Sequence, residues 1–122
     1  MKKSSLKMNL LVVAATPFEI KPLVDYLDIK MVNYPQVFVS DFRQSKVTVL
    51  ITGVGMVNTA FQLGKLLAGR RFDLAINLGI AGSFNPGIRI GEVVNVVSEQ
   101  FADFGAQDGD DFLDMFEMKL MG

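Results

Sequence analysis

The chain has 122 residues, half of them hydrophobic, with a formal net charge of −1 and neither cysteine nor histidine. That length fits one domain, and the near-neutral charge points away from nucleic acid and anionic membranes as partners. Without Cys or His there are no disulfides, thiol nucleophiles, Ser-His-Asp triads or ordinary zinc sites; neither metal nor cofactor is expected, and acid–base chemistry falls to carboxylates, Lys, Tyr or water.

The first residues, MKKSSLKMNLLVVAA, superficially resemble a secretory signal. Ser4, Ser5 and Asn9 interrupt the pattern, however, and the apolar core at 10–15 is short even for such a segment. Residues 8–15 therefore read as a first β-strand. No segment approaches the ~18 apolar residues of a membrane span, so a soluble cytoplasmic protein is expected. Residues 17–27 read as a helix, with Phe18, Ile20, Leu23, Val24 and Leu27 on one apolar face and Pro22 as a possible kink. Residues 37–42 and 46–52 read as an antiparallel hairpin around Arg43-Gln44-Ser45. Gly53-Val54-Gly55 follows, then a helix over 56–68 ended by Gly69 at a C-cap position. Residues 72–78 read as another buried strand, running into Gly79-Ile80-Ala81-Gly82. Residues 83–91 read as a loop, 93–101 as a strand, 104–111 as a loop, and 112–120 as the start of a helix. From Glu92 onward acidic residues outnumber basic ones eight to one, as in a solvated acidic surface. Alternating strands and helices, with strands apolar on both faces, predict an α/β fold in which helices flank a mixed β-sheet.

Three segments carry possible chemistry, all at strand ends, where α/β sheets bind ligands. Thr16-Pro17-Phe18-Glu19 fits a capping box, with Thr16 as N-cap and Glu19 reaching back to its amide. The same position suits Glu19 as a general base that orients water, and the two roles compete for the same oxygens. Thr52-Gly53-Val54-Gly55 opens a helix and presents backbone N–H groups to an anion or a hydroxyl-rich ligand. It fails the dinucleotide fingerprint, because Asn58 stands at the third glycine, and no GK[ST] follows. Asn77-Leu78-Gly79-Ile80-Ala81-Gly82 is a second small-residue turn, open enough for a planar ring to approach the backbone. Asp103-Phe104-Gly105 lacks the rest of a kinase signature, and Asp108-Gly109-Asp110-Asp111 lacks EF-hand spacing and reads as a solvated turn.

Together LVVAATPFEIKPL, ITGVGMVNTAFQLGKLL, DLAINLGIAGSF and IRIGEVVNVVSEQFADFGAQDGDDF resemble, in order and spacing, the N-terminal half of the purine nucleoside phosphorylase and nucleosidase superfamily. FADFGAQDGDDFLDMFEM most resembles the futalosine hydrolases of the alternative menaquinone pathway, rather than the methylthioadenosine/adenosylhomocysteine nucleosidases. The resemblance implies a three-layer sandwich, a homodimer or higher homo-oligomer, and cleavage of a purine N-glycosidic bond through an oxocarbenium-like transition state. By resemblance Glu19 activates the attacking water and Thr16 lines the ribose. Gly53, Val54 and Gly55 match the turn that holds phosphate in phosphorylases and water in hydrolases, and Ala81 and Gly82 match the backbone beside the purine. Residues 101–112 match a loop that reaches the neighbour's site in family dimers.

Two departures qualify this. Ile80 stands where methylthioadenosine nucleosidases carry a polar residue. The resemblance also implies a base-stacking aromatic, a Met-Glu ribose clamp and a purine-protonating Asp beyond residue 122. Residues 1–122 are therefore expected to be a single partial domain, truncated before its C-terminal half and inactive alone. A futalosine-cleaving nucleosidase is the leading reading. A methylthioadenosine/adenosylhomocysteine nucleosidase or a purine nucleoside phosphorylase is the alternative, the latter weakened because no Arg lies near residues 53–55 and only Arg43 and Arg89 are candidates. A non-catalytic oligomerising fragment is the alternative of another class.

Overall fold

The computed structural model describes residues 7–30, 36–101 and 103–120. The basic, serine-rich start at 1–6 lies outside them. The chain divides into two compact units, Met1–Gly82 and Ser83–Gly122.

The first unit is a four-stranded sheet of order β2-β3-β1-β4 with two helices. Strand β1 (Asn9–Ala14) is paired in parallel with β3 (Ser45–Ile51) on one side and β4 (Leu74–Asn77) on the other. A strand inside a parallel sheet is covered on both faces, which is why NLLVVA is continuously apolar rather than alternating. Successive side chains point to opposite faces, and each face has its own helix. Val12, Ala14, Val47, Val49 and Ile51 form one core with Ile20, Val24 and Leu27 around α1 (Lys21–Tyr26). Leu11, Val13 and Leu50 form the other with Leu66 of α2 (Met56–Leu67). The result is the expected three layers of helix, mixed sheet and helix. β2 (Val37–Phe42) joins β3 antiparallel, with Phe42 opposite Ser45. The hairpin turn is thus Arg43-Gln44 alone, with Arg43 at φ 55°.

Several elements differ from their sequence reading. The first helix begins at Lys21, after turns at 17–20. A helix from residue 17 would need residue 22 to donate its N–H to the carbonyl of residue 18, and Pro22 has no N–H. Placed in the first turn instead, Pro22 loses nothing, because those N–H groups have no intrahelical partner. It starts the helix rather than kinking it. Phe18 consequently leaves the apolar face and is 86% exposed. Gly69 follows α2 without the left-handed φ of a glycine cap; Ala68 is the C-cap, in right-handed helical geometry. β4 is shorter than expected and is an edge strand, with Leu74 and Ile76 46% and 40% exposed. Among the described residues it pairs only with β1, and all four of its residues are exposed.

In the second unit residues 93–101 form no strand among the described residues, where no neighbour completes a ladder with them. The expected loop at 104–111 is instead largely a hairpin, β5 (Gly105–Asp108) with β6 (Asp111–Asp114). Its two-residue turn places Gly109 at φ 63°, a geometry open to glycine at the first central position. Gly105 is required by crowding, since a Cβ there would collide with the Leu113 carbonyl and the Phe112 ring. Residues 115–119 form turns rather than a helix. The start signal is nonetheless present: Phe116 and Glu117 N–H donate to Asp114 Oδ1, and Asp114 N–H donates to Glu117 Oε2, the reciprocal pattern of a capping box. These bonds hold the Asp114 carboxyl below its ordinary range, the largest being that from the Glu117 N–H, against a weaker upward push from burial.

Leu11 is 1% exposed, so Leu11→Ala should cost about 2–5 kcal/mol in urea unfolding. Phe18→Ala should stay within about 0.5 kcal/mol. Comparable losses in both variants would place Phe18 in the core after all.

Candidate active site at the carboxyl ends of the strands

Because β1, β3 and β4 are mutually parallel, their carboxyl ends emerge at one edge. Hydrogen bonds continue the ladders past the strands: Thr52 and Gly53 N–H donate to Ala14 and Ala15 O at 2.9 and 3.0 Å, and Leu78 N–H donates to Val13 O at 2.8 Å. The residues after each strand are thereby held side by side.

Glu19 sits between two of these ends. Its Oε2 accepts the Thr16 N–H at 2.7 Å and the Thr16 hydroxyl at 3.1 Å. Its Oε1 lies 3.5 Å from the Ile80 N–H, beyond β4. Half the capping box therefore forms. Glu19 reaches back to Thr16 as expected, but Thr16 caps no helix, since α1 starts later with Ile20 as its N-cap and no side-chain cap. Partial burial pushes the Glu19 carboxyl up. The hydrogen bonds from the Thr16 N–H and hydroxyl, together with the nearby Ile80 and Ala15 N–H dipoles, outweigh that and hold it below the usual carboxylate range. At neutral pH Glu19 is an ionised acceptor.

The glycine turn after β3 is demanding, as its spacing suggested. Gly53 and Gly55 have φ 79° and 97°, where an L side chain is strained. Space is not the constraint: a Cβ on Gly55 meets nothing within 4 Å, and one on Gly53 makes only ordinary contact with Asn58. Asn58, which breaks the dinucleotide pattern, has a local task, donating from Nδ2 to Val54 O at 2.8 Å. The Thr52 hydroxyl donates to Gly53 O at 2.8 Å, and the Thr59 hydroxyl shares its one proton between Gly55 O at 3.1 Å and the Thr52 oxygen at 3.2 Å. Asn58 and Thr59 belong to the turn's support, and their helical spacing of four from Val54 and Gly55 was the available signal.

The structure thus brings Thr16, Glu19 and Gly53 to adjacent strand ends. Val54 and Gly55 are exposed on the turn into α2, and Ala81 and Gly82 are exposed on the segment directly after Ile80. Two open concavities of about 620 and 370 Å³ lie along the sheet beside α2 and the β2–β3 hairpin and include none of these residues. Among the described residues no group of three or more acidic side chains could hold a metal ion, and no helix is long and apolar enough to cross a membrane.

The ionised Glu19 carboxylate and the two glycine-bearing turns thus lie at one edge of a mixed sheet whose strand β1 is covered on both faces. Residues 9–120 match the phosphorylase superfamily, and the chain belongs to that superfamily. It is 38% identical over 63 residues to a 5′-methylthioadenosine/S-adenosylhomocysteine nucleosidase of Marinomonas sp., covering 52% of this chain and 26% of that protein. It is likewise 38% identical over 60 residues to the futalosine hydrolase of Thermus thermophilus, covering 49% and 27%. The matched stretches span about a quarter of the length of these curated relatives. In fold it is similar to the methylthioadenosine/adenosylhomocysteine nucleosidase of Campylobacter jejuni, with a TM-score of 0.59 and 20% identity over 70% of this chain and 38% of that one. The corresponding enzyme of Neisseria meningitidis, solved with methylthio-immucillin-A, gives 0.59 and 23% over the same shares.

Two outcomes follow. Gly55→Val should lose roughly 1–3 kcal/mol from backbone strain alone, whereas Gly64→Ala, inside α2 at ordinary φ with open space around it, should gain roughly 0.5–1 kcal/mol. Chemical denaturation of both checks this, and a neutral Gly55→Val overturns the strain. For Glu19 the folded value is depressed, so its contribution is fully present above the unfolded value of about 4.3 and is lost as pH falls through the folded value. The stability gap between wild type and Glu19→Gln should be constant near neutrality and close in acid; a gap that persists unchanged in acid contradicts this.

Proposed function

We propose that this chain supplies the water side of a purine nucleosidase site, in which the N-glycosidic bond of a purine nucleoside is cleaved by water. The observation that carries this is Glu19, ionised and held between the ends of β1 and β4 beside the Gly53 turn, in a chain of the phosphorylase superfamily. As the glycosidic bond lengthens, positive charge builds on the ribose, and a fixed carboxylate that orients water and accepts its proton favours that charge. Thr16 positions the carboxylate and borders the ribose. The Gly53, Val54 and Gly55 backbone lies beside the nucleophile, and Ala81 and Gly82 offer open backbone to the purine edge.

Hydrolysis is favoured over phosphorolysis by the placement of Arg43, which sits in the β2–β3 turn, stacked on the Phe42 ring at 5.2 Å, at the end of β3 opposite the glycine turn. For the substrate we favour futalosine, which yields hypoxanthine. The support is the Thermus thermophilus relative, the segment 101–118 and the apolar Ile80; the nucleosidase relatives make methylthioadenosine the comparison. A second reading, an oligomerising chain, rests on exposed apolar surface at Val57 and Phe61 of α2 and at Leu74 and Ile76 of β4, as an interface would present.

Departure of the purine also needs a proton, and Glu19 and Asp114 are both held as ionised acceptors. The 122-residue chain alone should therefore release no base from futalosine, methylthioadenosine or inosine, with or without phosphate. Sustained release that disappears in Glu19→Ala would show that no further acid is required. In a preparation that does turn over, Glu19→Gln should cost about 100-fold or more in rate while moving the melting temperature only a few degrees; unchanged turnover would leave Glu19 a purely structural residue. Light scattering at micromolar concentration should show self-association, and a monodisperse monomer would count against the second reading.

A further inference from the structure

Building on the reading of Glu19 as the water-activating carboxylate, we propose that its two oxygens have divided tasks: Oε2 is locked onto Thr16, Oε1 faces the reacting water, and Gly79 is the positioning residue that gives Oε1 its seat.

A carboxylate offers about four lone-pair positions. Oε2 already accepts two good hydrogen bonds from Thr16, at 2.7 and 3.1 Å. Oε1 has the Ile80 N–H at 3.5 Å, at the outer limit of a hydrogen bond, and keeps capacity for a shorter bond from water. The competition between capping and catalysis is resolved by giving each role its own oxygen.

Gly79 is needed for a different reason from Gly53 and Gly55. Its φ is not in the left-handed region, so the backbone alone would accept alanine. A Cβ there, however, would stand 3.1 Å from Glu19 Oε1 and 3.8 Å from Cδ. Two constraints keep Oε1 from moving aside freely. Thr16 holds the carboxylate through Oε2, and the β1–β4 ladder, extended by the Leu78 N–H to Val13 O bond at 2.8 Å, holds residue 79 against the end of β1. A methyl group at 79 crowds Oε1 by a few tenths of an ångström, and the room must come from the Ile80 N–H side or from the Thr16 bonds. The depressed affinity of Glu19 for protons agrees with this seating, and no charged side chain contributes to it.

The test is carboxyl NMR titration of isotope-labelled chain, with amide shifts followed at Thr16 and Ile80. In wild type both amides should titrate with the Glu19 midpoint; an Ile80 amide indifferent to that midpoint overturns the seat without any variant. Gly79→Ala should raise the Glu19 midpoint and uncouple Ile80, while Gly82→Ala, with open space around its Cβ, should change neither. An unchanged midpoint and a still-coupled Ile80 in Gly79→Ala overturn the proposal. In a preparation with turnover, Gly79→Ala should lower kcat roughly 3- to 10-fold with KM nearly kept, since an ångström of misplacement can cost about 100-fold and a few tenths correspondingly less, and it should add nothing in a Glu19→Gln background. If Glu19→Gln turns over normally, the water-activation reading and the task given to Oε1 both fail, while the titration still decides whether Gly79 seats the carboxylate.

Discussion

The parallel pairing of β1 with both of its neighbours is the constraint on which the first unit depends. Parallel ladders align three strands in one direction and so deliver three carboxyl ends to one edge. They also bury β1 on both faces, which demands an uninterrupted apolar strand and a helix on each side. Polar chemistry is excluded from the middle of such a sheet, because a buried charge without partners is expensive. It gathers at the edge, where backbone N–H groups run out of ladder partners. Glu19 accepts from those groups, and the same contacts that satisfy them keep the carboxylate ionised.

Glycine serves this chain in two physical ways. At Gly53 and Gly55 the need is conformational: the chain must turn from β3 into α2 through positive φ, in open surroundings. At Gly79 and Gly105 it is steric, because another group occupies the space a side chain would take. The distinction bears on function. A conformational glycine shapes where backbone N–H groups point, whereas a steric glycine lets a particular atom approach, here a carboxylate oxygen. The two turns at the site edge thus contribute differently although both read as small-residue loops.

The proposal of nucleoside chemistry at the strand ends rests on two supports, family membership and edge geometry. They differ in reach. Residues 9–120 match the superfamily, while the assembled contacts concern residues 14–19, 52–59 and 78–80. The second unit has its hairpin, its capping box at Asp114 and Glu117 and many exposed apolar side chains, and it carries the segment on which the proposed choice of substrate leans.

By itself the sequence determined what short-range physics controls. The apolar run of β1, the β2–β3 hairpin, the helix after Gly55 and the positive-φ glycines follow from patterns a few residues long, and so did Glu19 reaching back to Thr16. Where a local pattern competed with another, the reading failed: Thr16-Pro17 signalled a helix start, and Pro22, without an N–H, moved it to Lys21. Residues 93–101 carried strand composition without a partner among the described residues, whereas 104–111, read as a loop, and 112–120, read as a helix start, together supplied the two strands of a hairpin. Only the tertiary structure decided which oxygen of Glu19 is held and which is left, because that depends on Ile80 and Gly79, some sixty residues away in the chain. Their position is set by the β1–β4 register, and register is a long-range pairing that no local pattern encodes.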